Sequence, residues 1–231
     1  MQVVIFCGGG SLRFQNERFP YNKVMAPIGK YPLLVYIMNV YSVAGFTDFI
    51  LCVRDNDEFI HDFFQKQTLF KSVQVIKTGN DTPTGGRLAQ VKDLITTRHF
   101  WATYGDGICD LDLKSLLKFH EEHGKLGTLT AVNPQSQYGI LDVNDNNEVK
   151  SFLEKPIMKE WINGGFFIFN SSVLETIPEN EMLETGLLHQ LSAENQLMAF
   201  KHYGFWKSMD TVKDFEELNK LAYSGKLPIQ I

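Results

Sequence analysis

Apolar residues fall in short blocks over the first half of the chain, and the polar residues between them carry helical spacing. Gln2–Cys7 is a continuous apolar run that predicts a strand covered on both faces. Asp48–Val53, Ser72–Lys77, His99–Tyr104 and Gly127–Val132 predict four more strands. Between them, Pro32–Ala44 places Leu33, Leu34, Ile37, Met38, Val40 and Tyr41 on one helical stripe and stops at Gly45. Asn56–Gln67, Thr84–Ile95 and Leu113–His123 predict the remaining helices of this half. Strictly alternating strands and helices predict an α/β protein: an open, Rossmann-like, mostly parallel sheet flanked by helices. After about residue 138 the texture changes. Tyr138–Val143, Val149–Glu154, Gly164–Phe169 and Leu197–His202 read as strands with little helix between them, and Asp214–Ser224 as a closing helix. This strand-rich half is expected to join the same sheet, giving a single domain over 1–231.

Composition narrows the class. The 231 residues carry a formal net charge of −5, which does not suit a basic nucleic-acid footprint. A small phosphorylated ligand needs only local cations. Cys7, Cys52 and Cys109 are far apart, lack metal-ligand spacing and adjoin apolar runs, so they read as buried free thiols in a reducing compartment. No leader pattern and no membrane-length apolar run is seen, so a cytoplasmic protein without a membrane partner is expected.

Candidate chemistry starts where the first strand ends. Gly8-Gly9-Gly10 is followed by Ser11, by Arg13 and, in an otherwise apolar stretch, by Lys23. Bare backbone N–H groups beside two cations suit a polyphosphate, although a tight turn explains the glycines alone equally well. The third glycine of a dinucleotide fingerprint is missing, which counts against a nicotinamide-dependent oxidoreductase, and no Walker lysine follows. Tyr104-Gly105-Asp106-Gly107 ends a strand where open α/β sheets bind ligands, and a carboxylate there suits Mg²⁺ or Mn²⁺. Asp210, in a buried-looking Trp-x-x-Met-Asp context, is the second candidate ligand; Asp110 and Asp112 read as surface or capping residues. Thr84-Gly85-Gly86-Arg87 opens a helix whose bare backbone suits a base edge. His120 and His123 read as solvent-side residues at a helix end, and no histidine is assigned to catalysis.

The layout strand–GG–x₃–R–x₉–K–x–M resembles the sugar-1-phosphate nucleotidyltransferases. Thr84-Gly85-Gly86-Arg87, Tyr104-Gly105-Asp106-Gly107, Glu154-Lys155-Pro156, Ile162-Asn163-Gly164-Gly165 and Phe205-Trp206-x-x-Met209-Asp210-Thr211 match in order over nearly the whole chain. The TGGR, YGDG and FW–MDT segments look most like the glucose-1-phosphate cytidylyltransferase branch. The resemblance implies the nucleotide-diphospho-sugar transferase fold, with a nucleotide-binding half at 1–133 and an acceptor-binding half at 134–231. It implies transfer of CMP from CTP to a phosphorylated acceptor, with Arg13 and Lys23 as catalytic cations. Gly8, Gly9, Gly10, Ser11, Thr84, Gly85, Gly86, Arg87 and Gly105 would then meet the nucleotide, and Asp106 and Asp210 the metal. Lys155 would take the acceptor's phosphate and Glu154 its hydroxyls, with Asn163, Gly164, Tyr138 and Gly139 as walls. The sequence departs from the family pattern at Ser11-Leu12, where Gly-Thr is usual, and at Val24, where a proline is usual. It is also shorter between Phe64 and Thr84. A divergent acceptor, as in CTP:phosphoglutamine cytidylyltransferase, a non-catalytic nucleotide-binding domain and a homo-oligomeric assembly stay open.

Overall fold

The computed structural model describes residues 1–8, 22–229 and 231. The chain opens with β1 (Gln2–Phe6), then a 3₁₀ turn at Lys23–Met25 and the small ribbon β2 (Pro27–Ile28) and β3 (Tyr31–Pro32). It continues through α1 (Leu33–Val43), β4 (Asp48–Val53), α2 (Glu58–Lys66), β5 (Ser72–Lys77) and α3 (Thr84–Gln90). Next come β6 (His99–Tyr104), β7 (Gly107–Cys109), α4 (Leu113–His123) and β8 (Gly127–Val132). The last part holds β9 (Ile140–Val143), β10 (Val149–Leu153), β11 (Ile162–Asn170), α5 (His189–Ala193), β12 (Leu197–His202), β13 (Trp206–Ser208) and α6 (Val212–Tyr223).

Seven strands form the central sheet in the order β12-β8-β11-β6-β1-β4-β5. Every pairing is parallel except those of β11, which runs antiparallel to both β6 and β8. The continuous apolar runs follow from this topology. Val3, Ile5, Phe49, Leu51, Trp101, Phe166 and Ile168 face one layer, with α1, α2, α4 and α6. The alternate residues Val4, Phe6, Ile50, Cys52, Phe100, Phe167 and Phe169 face the other, with α3 and the 173–191 region. Both faces of the strands are dry, so polar alternation would bury unpaired groups. All three cysteines are buried free thiols.

The second half departs from expectation in its helix content, with helical turns at Ser171–Glu175, Glu184–Leu188 and His189–Ala193 between β11 and β12, and in its sheet. Only β11 and β12 join the central sheet. The β9–β10 hairpin is a separate two-stranded sheet, with Leu141 50% and Phe152 60% exposed. The helix expected over Thr84–Ile95 ends at Gln90 and continues as a 3₁₀ turn. Asp112 caps α4 as expected, accepting from the backbone N–H groups of Lys114 and Ser115. Asp110, in contrast, is paired with His202 at 2.9 Å.

The histidines of α4 overturn the solvent-side reading. His120 is 1% exposed. Lys125 N–H donates to His123 Nδ1 at 2.9 Å, so His123 carries its proton on Nε2 and donates to Thr128 Oγ1 at 2.7 Å. The Thr128 hydroxyl is then free to donate to His120 Nδ1 at 2.8 Å. The bond from Lys125 N–H keeps His123 Nδ1 bare, so that ring is neutral in this arrangement, and Thr128 Oγ1 bridges the two rings. Burial, followed by the neighbouring His99 and His123, pushes His120 down to about 4.

Candidate active site

The YGDG segment is held at the carboxyl end of the sheet by its neighbours. Gly105 N–H donates to Phe6 O at 3.1 Å, tying it to the end of β1. β7 pairs antiparallel with β13, Gly107 opposite Ser208, and Met209 N–H donates to Asp106 O at 2.8 Å. This pairing carries Asp210 to Asp106 although 104 positions separate them in the chain. Lys23 completes the group. Its Nζ lies 2.8 Å from Asp106 Oδ2 and 3.0 Å from Asp210 Oδ1. Burial pushes this ammonium's pKa down, but the two carboxylates outweigh it and the net shift is upward. Asp210 is not buried as its sequence context suggested: its side chain is 51% exposed.

The turn that aims Lys23 rests on Asn22, which sequence reasoning passed over. Asn22 is buried; its side chain accepts from Val24 N–H and donates to Cys7 O and, at 2.9 Å, to Asp57 Oδ2. An Asn one residue before an apolar turn is a capping signal and could have been read. Of the glycine loop, only Gly8 falls among the described residues; Gly9, Gly10, Ser11 and Arg13 lie outside them.

Arg87 is 2% exposed and lies against Gly8. Its guanidinium donates to Val53 O (3.2 Å), Thr78 Oγ1 (2.6 Å), Gly8 O (3.2 Å) and Asn80 O (3.4 Å). One fork thus ties the ends of β1, β4 and β5. A Cβ on Gly8 would lie 2.2 Å from Arg87 Cζ, so Gly8 leaves room for the guanidinium. Gly85 and Gly86 also have a packing reason. Cβ atoms there would meet the carbonyl oxygens of Glu181 and Glu179 at 2.6 and 2.2 Å, and Gly85 N–H already donates to Glu181 O. Thr84 Oγ1 accepts from Leu183 N–H at 2.8 Å and meets Glu184 Oε2 at 3.5 Å.

Of the residues expected to line the acceptor, Gly164 lies beside Gly107, where a Cβ would meet Gly164 O at 3.9 Å, and the Asn163 side chain bonds Tyr104. Trp206 Nε1 donates to Gly164 O at 2.8 Å, Asn163 Oδ1 accepts from Gly165 N–H at 2.9 Å, and Thr103 Oγ1 donates to Gly165 O at 2.8 Å. Tyr104 donates its hydroxyl proton to Glu184; burial and then this carboxylate hold its pKa up. Glu184 therefore bridges the Thr84 segment and the YGDG strand, and no sequence signal marked it. Tyr138, Gly139, Glu154 and Lys155 form a second group at the foot of the β9–β10 hairpin. A Gly139 Cβ would sit 3.2 Å from Glu154 Oε2, and Lys155 Nζ is 3.7 Å from Glu154 Oε1. Lys155 has a left-handed backbone, φ 48°, just before Pro156. That is a strained position for a non-glycine residue, and it sets where the lysine leaves the chain.

Two carboxylates from distant segments already converge on one cation. Hard oxygen donors that meet a cation at 2.8 and 3.0 Å suit a divalent ion such as Mg²⁺, which takes one or two carboxylates together with substrate phosphates. No described helix is long and apolar enough to cross a membrane.

Comparison with known proteins finds relatives over nearly the whole chain. The glucose-1-phosphate cytidylyltransferase of Salmonella typhimurium is 38% identical over 253 residues, covering 99% of this chain and 98% of the relative. A Bacillus subtilis relative whose name carries the same activity is 34% identical, covering 98% of both chains. Two solved structures share the fold: HddC from Yersinia pseudotuberculosis (TM-score 0.71, 22% identity, 95% of this chain and 98% of that one), and a Bacillus anthracis protein solved with sucrose (TM-score 0.76, 17% identity, 96% and 94%). The family model described as nucleotidyl transferase matches residues 3–224, and the chain belongs to that family.

Proposed function

We propose that this chain is a cytidylyltransferase that moves CMP from CTP to a phosphorylated small molecule, a sugar 1-phosphate such as glucose 1-phosphate, and releases pyrophosphate. The observation that carries the reading is the convergence of Asp106, Asp210 and Lys23 at the carboxyl edge of the sheet. The full-length likeness to glucose-1-phosphate cytidylyltransferases supports the choice of nucleotide and acceptor.

In the reaction, an acceptor phosphate oxygen attacks the α-phosphorus of CTP, and the bond to the bridging oxygen of pyrophosphate breaks. A phosphate monoester dianion is already nucleophilic, so no side chain need take a proton, and the residues act by positioning and neutralising charge. Asp106 and Asp210 would hold Mg²⁺, which when bound neutralises charge on the phosphates. Lys23 and Arg13 would meet the triphosphate. Lys155 would hold the acceptor phosphate against its repulsion from CTP. Glu154, Asn163 and the Gly164 backbone would take acceptor hydroxyls, and the Trp206–Gly164 bond would keep that wall in place. The Thr84–Arg87 segment would border the base.

The test is pyrophosphate release from CTP with Mg²⁺ and a panel of sugar 1-phosphates plus phosphoglutamine. Turnover with glucose 1-phosphate, lost by orders of magnitude in Asp106→Ala, is expected. No pyrophosphate with any triphosphate and acceptor would overturn the reading.

A further inference from the structure

The place between Asp106 and Asp210 is taken by the chain's own cation. Lys23 Nζ holds Asp106 Oδ2 at 2.8 Å and Asp210 Oδ1 at 3.0 Å, and its side chain is only 12% exposed. We infer that Lys23 is an internal placeholder for the metal: it neutralises the carboxylate pair until a divalent cation binds, is displaced when that cation takes the same oxygens, and then serves the triphosphate. The inference rests on the proposed function and deepens it by assigning the order in which charges enter the site.

Three observations support displacement over coexistence. The first is space. A divalent ion sits about 2.1 Å from its oxygens. If it and the ammonium shared the same two oxygens, the two cations would be within about 5 Å of each other in a partly dehydrated cleft, where their repulsion is strong. The second is net charge. Two carboxylates and one ammonium leave the pair at −1; replacing the ammonium by a divalent ion brings it to neutral, whereas adding the ion on top leaves it positive. The third is the anatomy of the lysine. Asn22 and the Lys23–Met25 turn fix its backbone, with Met25 N–H on Asn22 O (2.9 Å) and Ala26 N–H on Lys23 O (3.0 Å). The four-carbon stem is free to re-aim the ammonium from that fixed base, as an arginine fork could not.

The consequence is a coupling between metal and nucleotide. A triphosphate draws Lys23 off the carboxylates and opens them to the metal; the metal, by the same linkage, frees Lys23 for the triphosphate. Metal alone has to evict the lysine, so the nucleotide-free protein should bind it weakly. This discourages occupancy by stray divalent ions until CTP arrives.

Mn²⁺ is the probe, and its binding to wild-type protein, Lys23→Met and Lys23→Gln is followed by electron paramagnetic resonance, with and without CTP. Without CTP, both variants should bind Mn²⁺ at least tenfold more tightly than wild type, although both lose turnover. Addition of CTP should tighten Mn²⁺ binding much more in wild type than in the variants. Equal or weaker nucleotide-free Mn²⁺ binding in the variants overturns the placeholder role, yet leaves the metal assignment standing if Asp106→Asn abolishes Mn²⁺ binding. Failure of wild type to bind Mn²⁺ even with CTP overturns the proposed function and this inference together. A second readout uses wild type alone, in case the variants do not fold. Acetic anhydride labelling of Lys23, read by peptide mass, should rise with Mn²⁺ alone and fall again with Mn²⁺ and CTP together. Labelling unchanged by Mn²⁺ under conditions where it binds overturns the inference.

Discussion

Mild acid should destabilise this protein through His120. In the unfolded chain an imidazole titrates near 6.5. In the fold, burial first and then the neighbouring His99 and His123 drop His120 to about 4. A base whose folded pKa is lowered binds fewer protons folded than unfolded between those two values. Stability is therefore complete above about pH 6.5, falls as the pH drops, and levels off below about 4. The linkage integral gives a loss of about 1.4 kcal/mol at pH 5.5 and about 2.5 kcal/mol at pH 4.5, relative to pH 7.5. The neighbouring His99 and His123 push the ring the same way; His99 is itself lowered by burial and then by Arg98, against Glu121, and His123 by burial and then by Lys125. Urea unfolding followed by circular dichroism at pH 7.5, 6.5, 5.5 and 4.5 measures the slope. His120→Gln removes the titrating ring and serves as the control; it should start less stable but lose about 2 kcal/mol less between pH 7.5 and 4.5. Identical slopes in the two proteins would refute the reasoning, since the acid sensitivity would then belong to other groups.

Three further outcomes are expected. Arg87→Lys keeps the charge but not the fork that spans Gly8 O, Val53 O and Asn80 O, and should cost about 2–4 kcal/mol in urea unfolding; a loss under 0.5 kcal/mol would mean that the strand ends need no tie. Trp206→Phe removes the donor to Gly164 O and should raise the acceptor KM roughly fivefold with little change in the KM for CTP, the worth of one hydrogen bond; an equal rise in both would detach Trp206 from the acceptor wall. Asp112→Ala strips the cap of α4 and should lower stability by about 1 kcal/mol without altering turnover, which thermal unfolding and a pyrophosphate assay check together.

The sheet was legible because burial on both faces leaves a simple trace. β4, β5, β6, β8 and β12 occupy the spans that their apolar runs predict. What stayed hidden depends on contacts distant in sequence. β13 is three residues long, too short for any period to register, and it exists because β7 pairs with it. That pairing is also what unites Asp106 with Asp210, so the motifs named the two carboxylates while nothing local could show them meeting at Lys23. Glu184 is invisible for the same reason, since its partners Thr84 and Tyr104 are 100 and 80 positions away. His120 is a different case. Leu113, Leu116, Leu117 and His120 follow i, i+3, i+4, i+7 spacing, which places the histidine on the buried stripe. Its polarity concealed a position that the period had already marked.

The fork of Arg87 has a bearing on how this chain can change over generations. Gly8 and Arg87 occupy one volume: a side chain at position 8 would have to pass through the guanidinium. A larger residue at position 8 needs the guanidinium to give way, and with it the bonds that gather the ends of β1, β4 and β5. The two sites, 79 positions apart, are therefore coupled through one volume. A chain without the arginine would lose this particular need for a glycine at position 8.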